Sequence, residues 1–486
     1  MTHFYAETDI GLAALVNNTN GLLDGATGTG KGVLIERDAS RHLLNNGGTT
    51  IIVGHRILLV AQLMARVVKH TLNTSVYVPF NRIGVHSGSK DEFETETLKE
   101  RIALAQYPDI MSPSISKLEE TLTDSVNRDV NNAIYVTYHS LYKVLHSCTK
   151  LGIRPRVYFD EIHTAAGDKD KWEIVEQMCL QADSYYAFSA TVDKYRKKIK
   201  DVFGQRIYHL PAHKAIKLGL ICMPVWMVAL VEGSREKNLA QGVVQAFIEH
   251  DNKNTFDVQA LVNCKDTNDV KTIAGSKQVK ELYTTQTNFM LAEISSERGC
   301  IVDGLKVDRP SWIKTINSHK GPLMVLHIDI CNAGIDVPGF NLPIWTYLPS
   351  SETYTIQGNG RGARLSLVDR PLLEQGKISV NDRSKWHKPY NTICLLSFTD
   401  TLEEDKDEFV AFILRSRNQG FEVNDLAVTS KNSGKAPDPF DGSNNNNGTV
   451  QDLQTLVNIA LENEALVELR ATTAKMDPLE ALDTFF

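Results

Sequence analysis

The stretch Gly25-Ala26-Thr27-Gly28-Thr29-Gly30-Lys31-Gly32 decides how the chain is read. It lies between the apolar run Gly21-Leu22-Leu23 and the helix-favouring Val33-Leu34-Ile35-Glu36. A strand that ends in small residues and is followed at once by a helix lets successive backbone N–H groups curl around a phosphate, while the helix N-terminus adds its positive end. Lys31 then offers a point charge to the outer phosphates of a nucleotide. The phosphate-loop pattern G-x-x-x-x-G-K-[ST] is met up to its last position, where the hydroxyl that ligates Mg2+ is replaced by Gly32. A glycine-rich loop also occurs as a plain turn, so its meaning rests on what the rest of the chain supplies.

Downstream, Thr49-Thr50-Ile51-Ile52-Val53 reads as a buried strand that ends at Gly54-His55-Arg56, and a helix follows from 57 to about 70. Alternating strands and helices are what a parallel, covered sheet requires. Val76-Tyr77-Val78 and Arg82-Ile83-Gly84-Val85 are further short strands, and Ala133-Ile134-Tyr135-Val136-Thr137 is another, followed by Tyr138-His139-Ser140-Leu141. Between them, about 88–132 turns polar and charged and reads as an insertion carrying two helices, broken at Tyr107-Pro108 and Ser112-Pro113.

Val157-Tyr158-Phe159-Asp160-Glu161-Ile162-His163 is an apolar strand whose C-terminal end delivers two adjacent carboxylates. Ligands gather at that end of strands in open α/β sheets. Asp160 can begin the shell of a hard cation such as Mg2+, and Glu161 can polarise an attacking water. The plainer reading, a solvated strand end, loses ground once the pair is set beside the glycine-rich loop. Tyr185-Tyr186-Ala187-Phe188 is a strand ending at Ser189-Ala190-Thr191. The cluster Lys194, Arg196, Lys197, Lys198 and Lys200 reads as a solvated helix face, with phosphate contact as the alternative. A turn at Leu210-Pro211 and a short helix then lead out of the first domain.

The second half repeats the rhythm, with candidate strands at 223–230, 258–262, 323–326, 344–347 and 392–396. Cys331-Asn332-Ala333-Gly334-Ile335-Asp336-Val337-Pro338-Gly339 is a loop in which Asp336 offers an acceptor. In Gln357-Gly358-Asn359-Gly360-Arg361-Gly362-Ala363-Arg364, two arginines three apart are expected on one side of a helical turn. Guanidinium groups suit the spread negative charge of a phosphoryl-transfer transition state, and structural ion pairing is their ordinary use. Beyond 400 the pattern weakens to a helix over 402–417, a linker over about 430–449, an amphipathic helix over 453–469 and an acidic tail.

Composition narrows the class. A chain of 486 residues holds two or three domains, and 42% hydrophobic with 23% charged residues argues against both disorder and a membrane protein. The net charge of −7 has the wrong sign for coating nucleic acid, although a local basic groove is compatible with it. The seven cysteines include no C-x-x-C pair, which argues against disulfides, zinc and iron–sulfur clusters. The N-terminus has no basic-then-apolar leader, so the expected location is soluble and cytoplasmic.

Laid end to end, these motifs resemble the superfamily 2 DNA/RNA helicases, and within them the DEAH/DExH group related to XPB, RadD and phage helicases of the UvsW type. Gly25 to Gly32 looks like motif I, Ile51-Ile52-Val53-Gly54-His55-Arg56 like motif Ia, and Asp160-Glu161-Ile162-His163 like motif II. Ser189-Ala190-Thr191 is similar to motif III, Gly334 to Pro338 to motif V, and Gln357-x-x-Gly360-Arg361-x-x-Arg364 to motif VI. The resemblance implies an α/β fold with two tandem RecA-like domains and parallel sheets, at 1–215 and 216–400, plus a mostly helical C-terminal extension at 401–486. It implies ATP and Mg2+ in the cleft. Gly25, Ala26, Thr27, Gly28, Thr29, Gly30, Lys31 and Gly32 would hold phosphates, and Asp160 the metal. Glu161 would hold the hydrolytic water, and His163 and Gln357 would link the cleft to its conformational state, while Gly334 and Asp336 of the motif V loop would lie between the cofactor and the nucleic acid. Arg361 and Arg364 would reach across as arginine fingers, while His55, Arg56, Thr137 and Tyr138 would face nucleic acid, DNA before RNA. At Gly32 a water, Thr27 or Thr29 would replace the missing hydroxyl.

The expected activity is that of an ATP-dependent helicase or translocase, phage-encoded in one version of the resemblance. A nucleotide-gated binding module and a motor subunit of a restriction or remodelling complex are the alternatives. The acidic tail, ending in Phe485-Phe486, is a frayed end or a docking peptide for a replication or repair protein.

Overall fold

A computed structural model describes residues 3–45, 48–72, 80–85, 109–111, 113–190, 195–253, 257–328, 339–349, 352–366, 368–401, 411 and 426–430. The first half builds one sheet from β1 (Asn20–Gly25), β2 (Thr49–Gly54), β3 (Phe80–Val85), β4 (Asp109–Met111), β5 (Asn131–Thr137), β6 (Arg156–Asp160), β7 (Ser184–Ser189) and β8 (Arg206–Leu210). Its order is β4-β3-β5-β2-β6-β7-β1-β8, with every neighbouring pair parallel. β2 and β5 are buried along their whole length because helices cover both faces of a parallel sheet. Helices α1 (His3–Asn17), α2 (Lys31–Leu44) and α3 (Ile57–Leu72) contribute Leu15, Leu34, Ile35, Leu63 and Val67 to one core, with Ile52 and Tyr135 from the sheet.

On the opposite face lies α4 (Ile115–Arg128), whose Leu118 and Leu122 pack with Ile51, Val53, Ile134 and Val136. Ser114 caps it by accepting from the Lys117 amide at 3.2 Å, and Asp129 closes it in the left-handed conformation. The stretch expected as a charged insertion therefore contributes, over its described part, an integral crossover helix and the edge strand β4. Its polarity misled because only one stripe of α4 turns inward.

The second sheet comprises β9 (Met223–Val231), β10 (Gln259–Asn263), β11 (Met290–Ser295), β12 (Gly299–Val302), β13 (Leu305–Val307), β14 (Leu323–His327), β15 (Leu342–Trp345), β16 (Tyr390–Phe398) and β17 (Leu426–Ser430). The order is β13-β12-β11-β14-β10-β15-β16-β9-β17, parallel except for the β11–β12–β13 meander. β8 was not foreseen beside the expected turn at Leu210-Pro211, because an edge strand with exposed Arg206 and His209 lacks the apolar run of a central one. β11 was also unforeseen: its buried Glu293 interrupts the apolar pattern and is neutralised by Arg298, whose guanidinium donates to it at 2.9 Å.

Within the stretch expected as a mostly helical extension, Leu426–Ser430 form the edge strand β17, which pairs parallel to β9. The helices expected over 402–417 and 453–469, the linker and the acidic tail lie outside the described residues, apart from helical Ala411. Among the described residues, no helix is long and apolar enough to cross a membrane.

The halves meet through Leu220, Ile221 and Ala363, which join the first sheet's core, and through a bridge from Ile221 to Arg364. Because Leu122 is fully buried, Leu122→Ala should cost about 2–5 kcal/mol, read from urea unfolding; a loss below about 0.5 kcal/mol would mark a surface element instead.

Candidate active site

β1 lies between β7 and β8, and the paired positions Asp24 with Ser189 and Asp160 with Phe188 bring the C-terminal ends of β1, β7 and β6 into one row. The glycine-rich loop leaves the end of β1, and its left-handed Gly28 (φ 87°) and Gly30 (φ 93°) make the turn that side chains resist. No side chain caps the start of α2. Lys31 Nζ donates back to the carbonyls of Gly25 at 2.7 Å and Ala26 at 3.2 Å, and Thr29 Oγ1 donates to Ala26 O at 2.7 Å. Thr27 Oγ1 is buried with no hydrogen-bond partner among the described residues.

β6 ends at Asp160, whose carbonyl accepts from the Tyr138 hydroxyl at 2.9 Å. Glu161 then takes a left-handed backbone (φ 51°), which turns the chain abruptly at the strand end. Burial and the neighbouring Glu161 charge push the Asp160 carboxyl up to about 7, against the pull of Lys31 and Arg66. Burial opposes ionisation of Glu161 too, but Lys31, His163, His55 and Arg361 together bring it below the usual carboxylate range. One carboxylate is thus held toward its ionised form and the other toward its neutral form.

His163 Nδ1 lies 2.9 Å from Ser189 Oγ and 3.4 Å from Glu161 Oε2, tying the two strand ends together. Burial lowers its pKa, with Glu161 acting the other way and Lys31 adding to the lowering. Burial also lowers His55 to about 4, with Glu161 opposing and Arg361 contributing.

The second sheet's contribution comes from the helix Glu352–Gly362 and the residues just after it. A Cβ on Gly360 would lie 2.5 Å from Thr27 Cβ, so this helix meets the loop backbone to side chain with no room between them. Arg361 is 8% exposed and acts electrostatically on Glu161, His55 and the buried His327. Arg364 does not share its helical turn: the helix stops at Gly362, and Arg364 lies in the bridge with Ile221, its Cγ 3.4 Å from where a Gly28 Cβ would be. Lys388, fully buried, donates from Nζ to the carbonyls of Gly362 at 2.7 Å and Arg364 at 2.6 Å. Cys222 N donates to Ala363 O at 2.7 Å.

Lys31, Asp160, Glu161, His163, Arg361 and Arg364 are accordingly gathered at one junction. Tyr138, expected at a nucleic-acid surface, is instead 4% exposed and braces Asp160 from below. Thr137 is buried at the end of β5, and His55 is turned toward Glu161 rather than outward. Arg56 follows in the turn before α3. In the basic cluster, Lys198 donates to Ala166 O at 2.9 Å and lies over the Trp172 ring, a structural use. Gly334, Asp336 and Thr191 lie outside the described residues, as does the side chain of Gln357. Sequence reasoning passed over Lys388, which carries no motif, and Arg66, whose only signal was a cation within the apolar run of α3.

The profile of the family described as "Type III restriction enzyme, res subunit" matches residues 6–194. No curated protein matches the sequence. Among solved structures, the ATP-dependent Type ISP restriction-modification enzyme LlaBIII bound to DNA is similar with a TM-score of 0.60 and 14% identity, over 86% of this chain. Mss116p bound to ssRNA and AMP-PNP is similar with a TM-score of 0.51 and 12% identity, over 94% of this chain and 78% of that one. The Mycobacterium smegmatis helicase Lhr bound to ssDNA and AMP-PNP gives 0.50 and 15% over 88% of this chain. The chain spans 29% of the length of LlaBIII and 49% of that of Lhr. The fold is therefore α/β with two tandem RecA-like domains.

The strain at Asp160 has a measurable sign. Its folded value of about 7 lies above the ordinary 3.8, so the fold favours the protonated form, and that contribution is lost as pH rises through the interval between the two values. In EDTA, Asp160→Asn should raise the urea midpoint at about pH 8, and the gain should close by about pH 4. A difference independent of pH would show that burial does not strain this carboxylate.

Proposed function

We propose that the chain is an ATP-dependent nucleic-acid motor, a superfamily 2 helicase or translocase that hydrolyses ATP between its two domains. The observation that carries this reading is the composite site, in which Gly360 rests on Thr27 of the phosphate loop while Arg361, one residue on, acts on Glu161. The residues fit ATP and Mg2+: the left-handed glycines, the buried unpartnered Thr27 Oγ1 and the strained Asp160 suit a polyanion with its cation.

When bound, ATP supplies the labile phosphoanhydride and Mg2+ the charge neutralisation. Lys31, now on its own loop's carbonyls, would hold phosphate oxygens, and Asp160 would hold the metal. Glu161, ionised, orients water and takes its proton. Arg361 and Arg364 arrive only when the second domain is seated, so the site is complete in the closed form and incomplete in the open one. Alternate closing and opening then moves the two domains along a strand held by its backbone phosphates. In this reading the chain is of the DExH type allied to XPB, RadD and phage UvsW helicases. His163 and Gln357 relay closure, and Arg56 with the loop of Gly334 and Asp336 faces the strand. DNA is the proposed substrate, in line with the DNA bound to LlaBIII and the ssDNA bound to Lhr. A second reading, a motor within a larger restriction assembly, is favoured by the fraction of LlaBIII that this chain spans. Co-purification with a nuclease or methyltransferase subunit tests it.

ATPase activity measured in parallel with single-stranded, duplex and branched DNA and with RNA should show stimulation by DNA. Glu161→Gln should lower kcat by about a hundredfold or more, and Arg361→Ala by about a thousandfold with a smaller change in nucleotide affinity. Full turnover in either purified variant would reject the composite site.

A further inference from the structure

We propose that Lys388 is a positioning residue for hydrolysis, one that caps the helix Glu352–Gly362 and fixes the backbone from which Arg361 and Arg364 face the first domain. The inference rests on the reading of this junction as an ATPase site.

A helix leaves its last four carbonyls without amides of its own to accept from. Here those carbonyls belong to Asn359, Gly360, Arg361 and Gly362. The Asn391 side-chain amide donates to Asn359 O at 3.0 Å. Lys388 Nζ donates to Gly362 O at 2.7 Å and, beyond the helix, to Arg364 O at 2.6 Å. One ammonium thus holds the backbone on both sides of Ala363, at the negative end of the helix dipole where a cation is favoured. Gly362 leaves no slack there: a Cβ on it would stand 1.8 Å from Asn391 Oδ1 and 2.7 Å from Pro343 Cγ.

Packing alone does not ask for a lysine at this place. Lys388 is buried, and burial pulls its pKa down, with Cys222 and Asp369 opposing and Arg364 adding to the fall. An apolar side chain of similar length would fill the volume without putting a charge out of water. The fold instead supports the charge. Asp369, itself buried, accepts from the amides of His387 at 2.6 Å and Lys388 at 2.7 Å, which also sets the lysine's backbone.

What the ammonium adds is direction. Its acceptors adjoin the residues that meet the first domain: Arg361, which acts on Glu161, directly precedes Gly362, and Arg364 has its Cγ 3.4 Å from where a Gly28 Cβ would be. Without those two hydrogen bonds the segment would keep its volume and lose its fixed orientation. Holding groups in the reacting geometry lowers a barrier without adding anything to the reacting atoms.

The test is ATP hydrolysis by the full chain with Mg2+, measured as kcat and KM, with folding followed by circular dichroism. Lys388→Met should lower kcat by about a hundredfold. KM for ATP should stay within about twofold, because the phosphate loop belongs to the first domain. Lys388→Gln, which keeps N–H donors on a shorter stem, should recover part of the loss, and it carries the test if Lys388→Met does not fold. In a chain with Arg361→Ala and Arg364→Ala, adding Lys388→Met should cost less than about twofold further, since the lysine acts through those side chains. A kcat for Lys388→Met within about twofold of the parent would overturn the proposal, as would an equal loss with and without the two arginines, which marks a general packing role. No turnover in the unsubstituted chain would instead remove the hydrolysis reading on which the proposal stands.

Discussion

The approach of Gly360 to Thr27 governs this molecule more than any hydrogen bond in it. With 2.5 Å between the threonine Cβ and the place a Gly360 Cβ would occupy, any other residue there would push the second domain off the loop. Close packing transmits such a shift without absorbing it. The apolar contact of Leu220, Ile221 and Ala363 with the first core supplies area behind the approach, and the bridge from Ile221 to Arg364 sets its register. Arg361 and Arg364 inherit their positions from that contact.

What they meet is an electrostatic conflict created by secondary structure. A parallel sheet ends its strands together, and here that places two consecutive carboxylates in a half-buried row with a lysine and two histidines. Ionising both acids so close together and partly out of water is costly, and the surroundings resolve it unequally. Glu161 has four cationic or polar neighbours on its side, whereas Asp160 has burial and Glu161 against it.

The parts legible in the sequence were those with strong local grammar. Central strands such as β2 and β5 are apolar on both faces, and the motifs of the glycine-rich loop, Asp160-Glu161 and Arg361 pointed to residues that the fold does bring to one junction. What failed to show was decided by partners distant in the chain. Glu293 is acceptable in a buried strand because Arg298 returns beside it, and α4 hides its apolar stripe in polar composition. Tyr138 belongs to the core through a bond to a carbonyl 22 residues away, and nothing near it in sequence announces that. Arg364 left its expected helical turn because Lys388 and Cys222 draw the chain into extended backbone after Gly362.

That last arrangement bears on how the two halves can move. A buried ammonium grips the carbonyls on either side of Ala363, while the amide of Cys222, at the root of β9, takes the carbonyl of Ala363 itself. The segment bearing the arginines is riveted to the sheet behind it. It has no freedom to swing like a flap, so separating it from the phosphate loop requires the whole second domain to rock as one lever. Small rotations at the connection before β9 are then magnified into displacement at the far edge of the sheet.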